Sequence, residues 1–475
     1  MPAITYNEFS GGLDRRLSIN SQDANKLWSL RNAYVTLGKR LNKRPGLRKV
    51  TAGLAGSFGL ESVSGALKVF CDAPSGFAPP VVAGLPIDRV SLNVPPAGST
   101  LDRIYYADLF QGFIYVVARY ASGYTRHHYV DGATTYISDA NCPHTIGVTK
   151  AASRIFAPSA ENVRYSAAGA ARDWTTASDA GFLPAGLQQD TKGLVKACGT
   201  FQDSLVVFFD DSAQIWAVAT DPAANAISKR LYGIGTQAPL SLASFFSDLV
   251  FLSPFGFRSM TVQAVSNRID DSDVGVPIDP LVKPDIATVA ATADPEEIMG
   301  VWIAEFGQYW AVMDMGSYSK VWVYTFSRSS KIACWSEYIY PIEIKAIATL
   351  AGKVYLRSVD ALYEADPLKF TDDGQLIDIE VQMAFQDAKS PGVSKQFYGA
   401  DFVTEGTPSV SYKFDPRDTG KESIPMVIPG DTRPGDILPV EIMAPALAPV
   451  FRHSKDEAMT IDALTLFYNT LGLNG

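Results

Sequence analysis

Four side chains in the first third of the chain have the chemistry to hold a metal: His127 and His128, followed by Cys142 and His144, offer the imidazole and thiolate that zinc prefers. Their spacing argues against it. Adjacent histidines on a strand point to opposite faces, and "NCPH" reads as a turn. The acidic run "RIDDSDVGVPIDP" (268–280) sets Asp270, Asp271 and Asp273 ahead of Gly275, but it lacks the ligand spacing and the terminal bidentate acid of a calcium loop, so a solvated turn is expected. The stretch "SAAGAARDWT" (166–175) has the Ser166, Gly169 and Trp174 of a sialidase-type Asp-box but no Asp at its third position. No GxSxG elbow and no Gly-rich loop closed by GKS or GKT occurs. The residues thus point to no catalytic group, no metal and no cofactor.

A different chemistry sits at the start of the chain. Of 41 basic and 50 acidic residues, the first fifty hold ten and three, a balance of +7 that leaves −16 on the rest. The basic cluster lies in "NAYVTLGKRLNKRPGLRKV" (32–50), interleaved with Tyr34, Val35, Leu37, Leu41 and Leu47 and closed by a Pro-Gly turn. Charge runs usually make solvated faces. This one has the composition of a folded basic element, and Arg40, Lys43 and Arg44 are its candidate assembly-interface residues, expected to pack at an acid-rich interface with a neighbouring subunit or an adaptor protein.

The elements that position these groups are mostly strands. Runs such as "FIYVVARY" (113–120), "SLVVFFDD" (204–211), "QYWAVMDM" (308–315) and "KVWVYTF" (320–326) are β-branched and aromatic, punctuated by Gly, Asp, Asn and Pro. "SQDANKLWSLRNA" (21–33) is the one stretch that reads as a helix, with Ser21 as cap and Leu27, Trp28 and Leu30 as apolar face. Regular strand spacing from 58 to 365, with turns in "DLFQG", "FQDS", "FFSD" and "LAGK", fits a series of sandwiches or a β-propeller-like domain, and the propeller is the expectation adopted. Residues 1–57 are expected to dock on it as a basic segment, and 366–475 to form an antiparallel β-sandwich. Within the latter, "PGDTRPGDILPVEIMAPALAPVF" (429–451) reads as a long ordered loop.

At 475 residues with 47% apolar composition, the chain has enough for two or three packed domains. Four cysteines at long spacing, no signal-peptide pattern and no apolar run near the roughly 20 residues of a membrane span lead to the expectation of a soluble product made in a reducing cytoplasm, without membrane insertion.

Several stretches together resemble the tail-nozzle, or packaged-DNA-stabilisation, proteins of short-tailed bacteriophages. "FSGGLDRR" (9–16) and "NAYVTLGKRLNKRPG" (32–46) are similar to that family's opening, and "RIFAPSAENVRYSAAGAARDWT" to its strand-turn-"DW" blade. "ACGTFQDSLVVFFDDSAQIWAV" (197–218), "GIGTQAPLSLASFFSDLVFLSPFGFRSM" (233–260), "SEYIYPIEIKAIATLAGKVYLRSVDALYEAD" and "GVSKQFYGADFV" follow in the family's order. The resemblance implies a structural virion protein: a six-subunit ring at the tip of a short tail, joined to an adaptor ring beneath the portal. Fibres, spikes or a tail needle would be further neighbours. The lumen would retain and then conduct double-stranded DNA, touching it only transiently. It brings no catalytic residues. The competing reading from composition is a propeller glycoside hydrolase or carbohydrate-binding protein.

Overall fold

The computed structural model describes residues 2–96, 99–189, 193–266, 273–292, 294–430 and 437–471. Its strands gather into successive small sheets, antiparallel except for the parallel pair Ala66–Asp72 and Ile87–Leu92, each returning to the same axis. The first strands of these sheets, Phe58–Val63, Leu101–Phe110, Thr149–Ala151, Ala197–Phe201, Ala243–Phe245, Met299–Ile303 and Ala346–Leu350, surround one cavity. The last of them packs against the first, which closes the circle into a β-propeller of seven blades. The seventh blade borrows its outer strand, Gly46–Ala52, from the opening segment, where it pairs with Ala361–Asp366. Closing the ring with both ends of the chain ties the first blade to the last.

The apolar runs follow from this geometry. A blade's second strand is covered on both faces by neighbouring blades, so alternate residues go to different seams rather than to core and water. In "SLVVF" (204–208), Leu205 and Val207 pack toward the third blade while Val206 and Phe208 pack toward the fifth. Tyr115 and Val117 likewise face the third blade, and Val116 and Ala118 the first. Six of the blades' inner hairpins share one device: a two-residue turn whose first residue takes positive φ, at Ser64, Gln111, Ala152, Gln202, Phe246 and Ala351. That backbone matches the strand twist of a tight hairpin.

The expected helix at 21–33 is instead the strand Lys26–Arg31. A register shift between Leu27 and Ser29, where the strand pairs with Ile379–Met383, brings Leu27 and Leu30 to the same buried face. The bulge therefore mimics the i, i+3 spacing of a helix. Helix occurs elsewhere, at Met260–Ser266 and Asp279–Thr292, inserted between the fifth and sixth blades.

Residues 1–57 do not form a separate docking segment. Ala3–Tyr6, Ala33–Val35 and Leu41–Lys43 join Lys395–Glu405, Leu438–Ala444 and Thr460–Thr470 in one sheet of a sandwich. Lys26–Arg31 enters the other sheet, beside Ile379–Met383, Ala448–His453, Ser409–Lys413 and Met426–Val427. The same strand meets Ile332–Tyr340 of the sixth blade through the parallel pair Arg31 and Glu337, so a ten-stranded sheet runs unbroken from propeller to sandwich. Phe397, Phe402, Phe451, Leu464 and Leu466 fill the sandwich core. The expected loop at 429–451 holds two strands of it, Leu438–Ala444 and the start of Ala448–His453; residues 431–436 lie outside the described ones.

Candidate functional site

The channel along the propeller axis encloses about 320 Å³ and is lined by residues of all seven inner strands. Its chemistry is concentrated at the two mouths. Where the inner strands begin, the turn Pro295–Glu297 projects over the opening, held by Asp294, whose side chain accepts from Glu296 N. Glu297 belongs to the sixth blade, yet it pairs with Arg103 and, at 3.5 Å, with Arg119 of the second. Blades two and six are not neighbours, so this pair spans the mouth like a bolt. Arg119 also meets Asp102 at 2.9 Å, and Tyr105 lies within 5.6 Å of both guanidinium groups. Beside them Lys345 bridges to Asp314 and Glu343 at 2.7 and 3.1 Å.

A wider pocket of about 480 Å³ adjoins this mouth, and Arg357 forms part of its wall. The buried Arg357 donates to three carbonyls, Gly59 O at 2.8 Å, Leu54 O at 3.2 Å and Ser57 O. Burial pushes it down to about 10. Facing the channel from the first blade, Glu61 is pushed up to about 7 by burial, with Asp108 adding to the shift and Lys150 opposing it. Asp108 is already engaged, accepting from Tyr106 Oη at 3.2 Å and Lys150 Nζ at 2.7 Å. A carboxyl that holds its proton near neutrality beside a charged one could pass a proton to a small ligand. None of Glu61, Arg103, Arg119, Glu297 or Lys345 stands out in the sequence; the available signal, for Glu61 and Arg103 alone, is a charged residue on the first strand of an otherwise apolar blade.

The residues that sequence reasoning singled out lie elsewhere. Arg44 is 1% exposed and forms a two-pronged pair with the equally buried Asp372. It also donates to Asn32 Oδ1 at 2.9 Å, Pro45 O at 2.9 Å and Ile339 O at 2.7 Å, with its guanidinium 4.0 Å from the Tyr340 ring centre. Lys43 is also buried; it donates to Lys455 O at 2.7 Å and is pushed down to about 8 by burial and by Arg44. Neither can reach a neighbouring subunit. Arg40 alone of the three is exposed, 3.5 Å from Asp462.

The basic opening therefore has an internal use. Arg31 pairs with Glu380, Arg44 with Asp372 and Arg48 with Glu364 and Asp366, so bases of the first fifty residues neutralise acids more than three hundred positions away. Segregated charge along the chain becomes paired charge between strands.

His127 and His128 are structural. His127 Nδ1 accepts from Tyr115 Oη at 2.7 Å while Nε2 donates to Thr145 O at 2.8 Å, and His128 Nε2 meets Tyr120 Oη at 2.8 Å on the other face. Burial pushes them down to about 4 and about 3. Cys142 is buried in the seam, and His144 packs on Tyr124 beside Arg126. Among the described residues no three His, Cys, Asp or Glu side chains are placed to hold a metal. Asp270 and Asp271 lie outside the described residues; Asp273 is buried rather than solvated, accepting from Ser259 N at 3.0 Å and Val274 N at 2.8 Å.

Fold and channel define the class: a seven-bladed β-propeller sharing a sheet with a β-sandwich. No family model and no curated protein matches the chain. Among solved structures it is similar to the WD40 domain of Pan2 from Neurospora crassa, at 10% identity and a TM-score of 0.39 over 68% of this chain and 95% of that one. It is also similar to BamB from Moraxella catarrhalis, at 10% and 0.33 over 68% and 90%, and to Hsv2 from Kluyveromyces lactis, at 8% and 0.31 over 64% and 85%.

Proposed function

We propose that the chain is the subunit of a ring at the end of a short phage tail, which retains double-stranded DNA and then conducts it. The observation that carries this reading, beside the resemblance of the sequence motifs, is the ten-stranded sheet continuous from the sixth blade into the sandwich. A ring that resists a confined genome must pass force from subunit to subunit, and a hydrogen-bonded sheet joining two lobes makes each subunit one stiff body. The DNA path on this reading lies between subunits. A cavity of about 320 Å³ is the size of a small-ligand pocket, and its mouth is bolted by Glu297. Most of the opening segment's bases are paired with acids of the same chain, so on this reading the lumen wall draws on the acidic and neutral remainder, across which a polyanion slides without the adhesion that counterion release gives a basic groove.

Sedimentation velocity of the purified chain tests the ring: a closed assembly several times the 51.3 kDa chain supports it, and a monomer at every concentration contradicts it. One observation favours a second reading, a carbohydrate-binding or glycoside-cleaving propeller: Glu61, held near neutrality in the channel wall, has the proton affinity of a general acid. Oligosaccharide binding that Glu61→Gln abolishes would favour it.

A further inference from the structure

Of the six two-residue inner turns, five place Ser64, Gln111, Ala152, Gln202 or Ala351 at the left-handed position, and the fifth blade places Phe246 there, at φ 53°. A bulky aromatic rarely adopts that backbone. Phe246 is nevertheless 72% exposed. Its ring rests edge-on against Trp302 at 5.4 Å and tilted on Phe326 at 5.6 Å, while Phe245 stacks beneath on Trp302 at 4.4 Å. The turn that follows Phe326 carries two exposed cations, Arg328, which donates to Ser247 Oγ at 3.4 Å, and Lys331, whose backbone N–H donates to Arg328 O at 3.3 Å. Among the described residues neither forms an ion pair, unlike most bases of the opening segment. Strain, exposed aromatic surface and uncommitted positive charge coincide at one turn, and the partner they fit is apolar and acidic.

A surface of that kind lies at the other end of the same molecule. The two sandwich sheets start against the sixth blade, at Ala33–Val35 and Lys26–Arg31, and end away from it at Leu438–Ala444 and Met426–Val427. The distal end of one sheet exposes Ile424, at 90%, and Val427, with the exposed acid Asp418 in the loop before them, and the distal strand of the other exposes Met443 and the acid Glu441. The nearby cations Arg417 and Lys421 are bound to Asp415. We propose that the Phe246 platform of one copy seats the Ile424 edge of the next, head to tail. Such a contact joins different surfaces on the two partners, so it propagates and closes into a ring where the rotation allows. The inference rests on the ring reading above and names the faces that would build it.

Cysteine pairing tests it, because all four native cysteines are buried and give little background. Ser247→Cys and Ile424→Cys combined in one chain should, under mild oxidation, give a ladder of disulfide-linked multimers on a non-reducing gel, and each single variant should not. Independently, Arg328→Glu with Lys331→Glu should weaken self-association by about tenfold or more, and Glu441→Lys should restore part of it. Wild-type rings together with no ladder from the double variant would place the contact on other faces and overturn this inference while sparing the ring. A wild-type chain that stays monomeric in sedimentation would overturn both.

Discussion

Asp372→Ala should be among the most damaging single substitutions in this chain. Asp372 is 3% exposed and supplies both oxygens to Arg44, whose remaining donors already serve Asn32, Pro45 and Ile339. Removing the carboxylate leaves a guanidinium stranded where water cannot solvate it, and breaking a buried pair from one side costs about 3–5 kcal/mol. The pair also sits where the opening segment leaves the sandwich and enters the seventh blade, so the loss falls on the element that closes the ring. Removing both charges, with Arg44→Met and Asp372→Ala, should cost less than the two single changes together, because no orphaned charge remains. Arg40→Glu is the control: Arg40 is 58% exposed, and its contact with Asp462 is worth about 1 kcal/mol or less. Urea midpoints followed by tryptophan fluorescence and by limited proteolysis give the comparison. Equal, small shifts for Asp372→Ala and Arg40→Glu would refute the argument. Reversing Arg40, Lys43 and Arg44 together must likewise lower stability, since Lys43 and Arg44 are buried inside the chain rather than presented at an interface.

Glu61 carries a pH signature. Folded, it keeps its proton to about pH 7 against 4.5 for an ordinary glutamate, so the native state binds the extra proton in that window and stability falls as pH rises through it; Glu61→Gln should flatten the fall and leave the variant more stable, by on the order of 2 kcal/mol, above pH 7. His127 and His128 act with the opposite sense: their folded values of about 4 and 3 lie below 6.5, so stability present above pH 6.5 is lost as pH falls toward them, and His127→Gln should reduce that acid loss in a pH series of urea midpoints. Glu297→Gln should unbolt the channel mouth, raising amide hydrogen exchange across 294–303 with little change in the opposite blades; unchanged exchange would mean that the pair is dispensable for closure.

Much of the propeller was legible because its signal is local. Apolar strands at regular spacing and turns such as "FQDS" and "LAGK" mark hairpins whatever the rest of the chain does, and those turns prove to be the positive-φ corners at Gln202 and Ala351. The sandwich was legible in its C-terminal strands and hidden in its N-terminal ones. Ala3–Tyr6, Ala33–Val35 and Leu41–Lys43 are three or four residues long, the first and last of them pairing with a strand more than four hundred positions away, and such short runs carry no periodicity. Lys26–Arg31 misled because a bulge imitates helical spacing. The basic cluster was read as an outward face because a sequence shows charge and not partners: Glu364, Asp372 and Glu380 look like ordinary surface acids until the fold brings them to Arg48, Arg44 and Arg31. The bolt from Glu297 to Arg103 is equally non-local, joining blades that are neither adjacent in sequence nor in space around the ring.

On the proposed reading, these two-lobed subunits assemble into a ring around a lumen that the single chain does not contain. Electron microscopy of the purified assembly, or of the chain produced together with its adaptor, tests it most directly through class averages. The expected result is closed rings of six-fold symmetry, with propellers and sandwiches alternating about a central opening wide enough for a DNA duplex. Isolated particles of about 51.3 kDa, each a lone propeller with its sandwich, would contradict it.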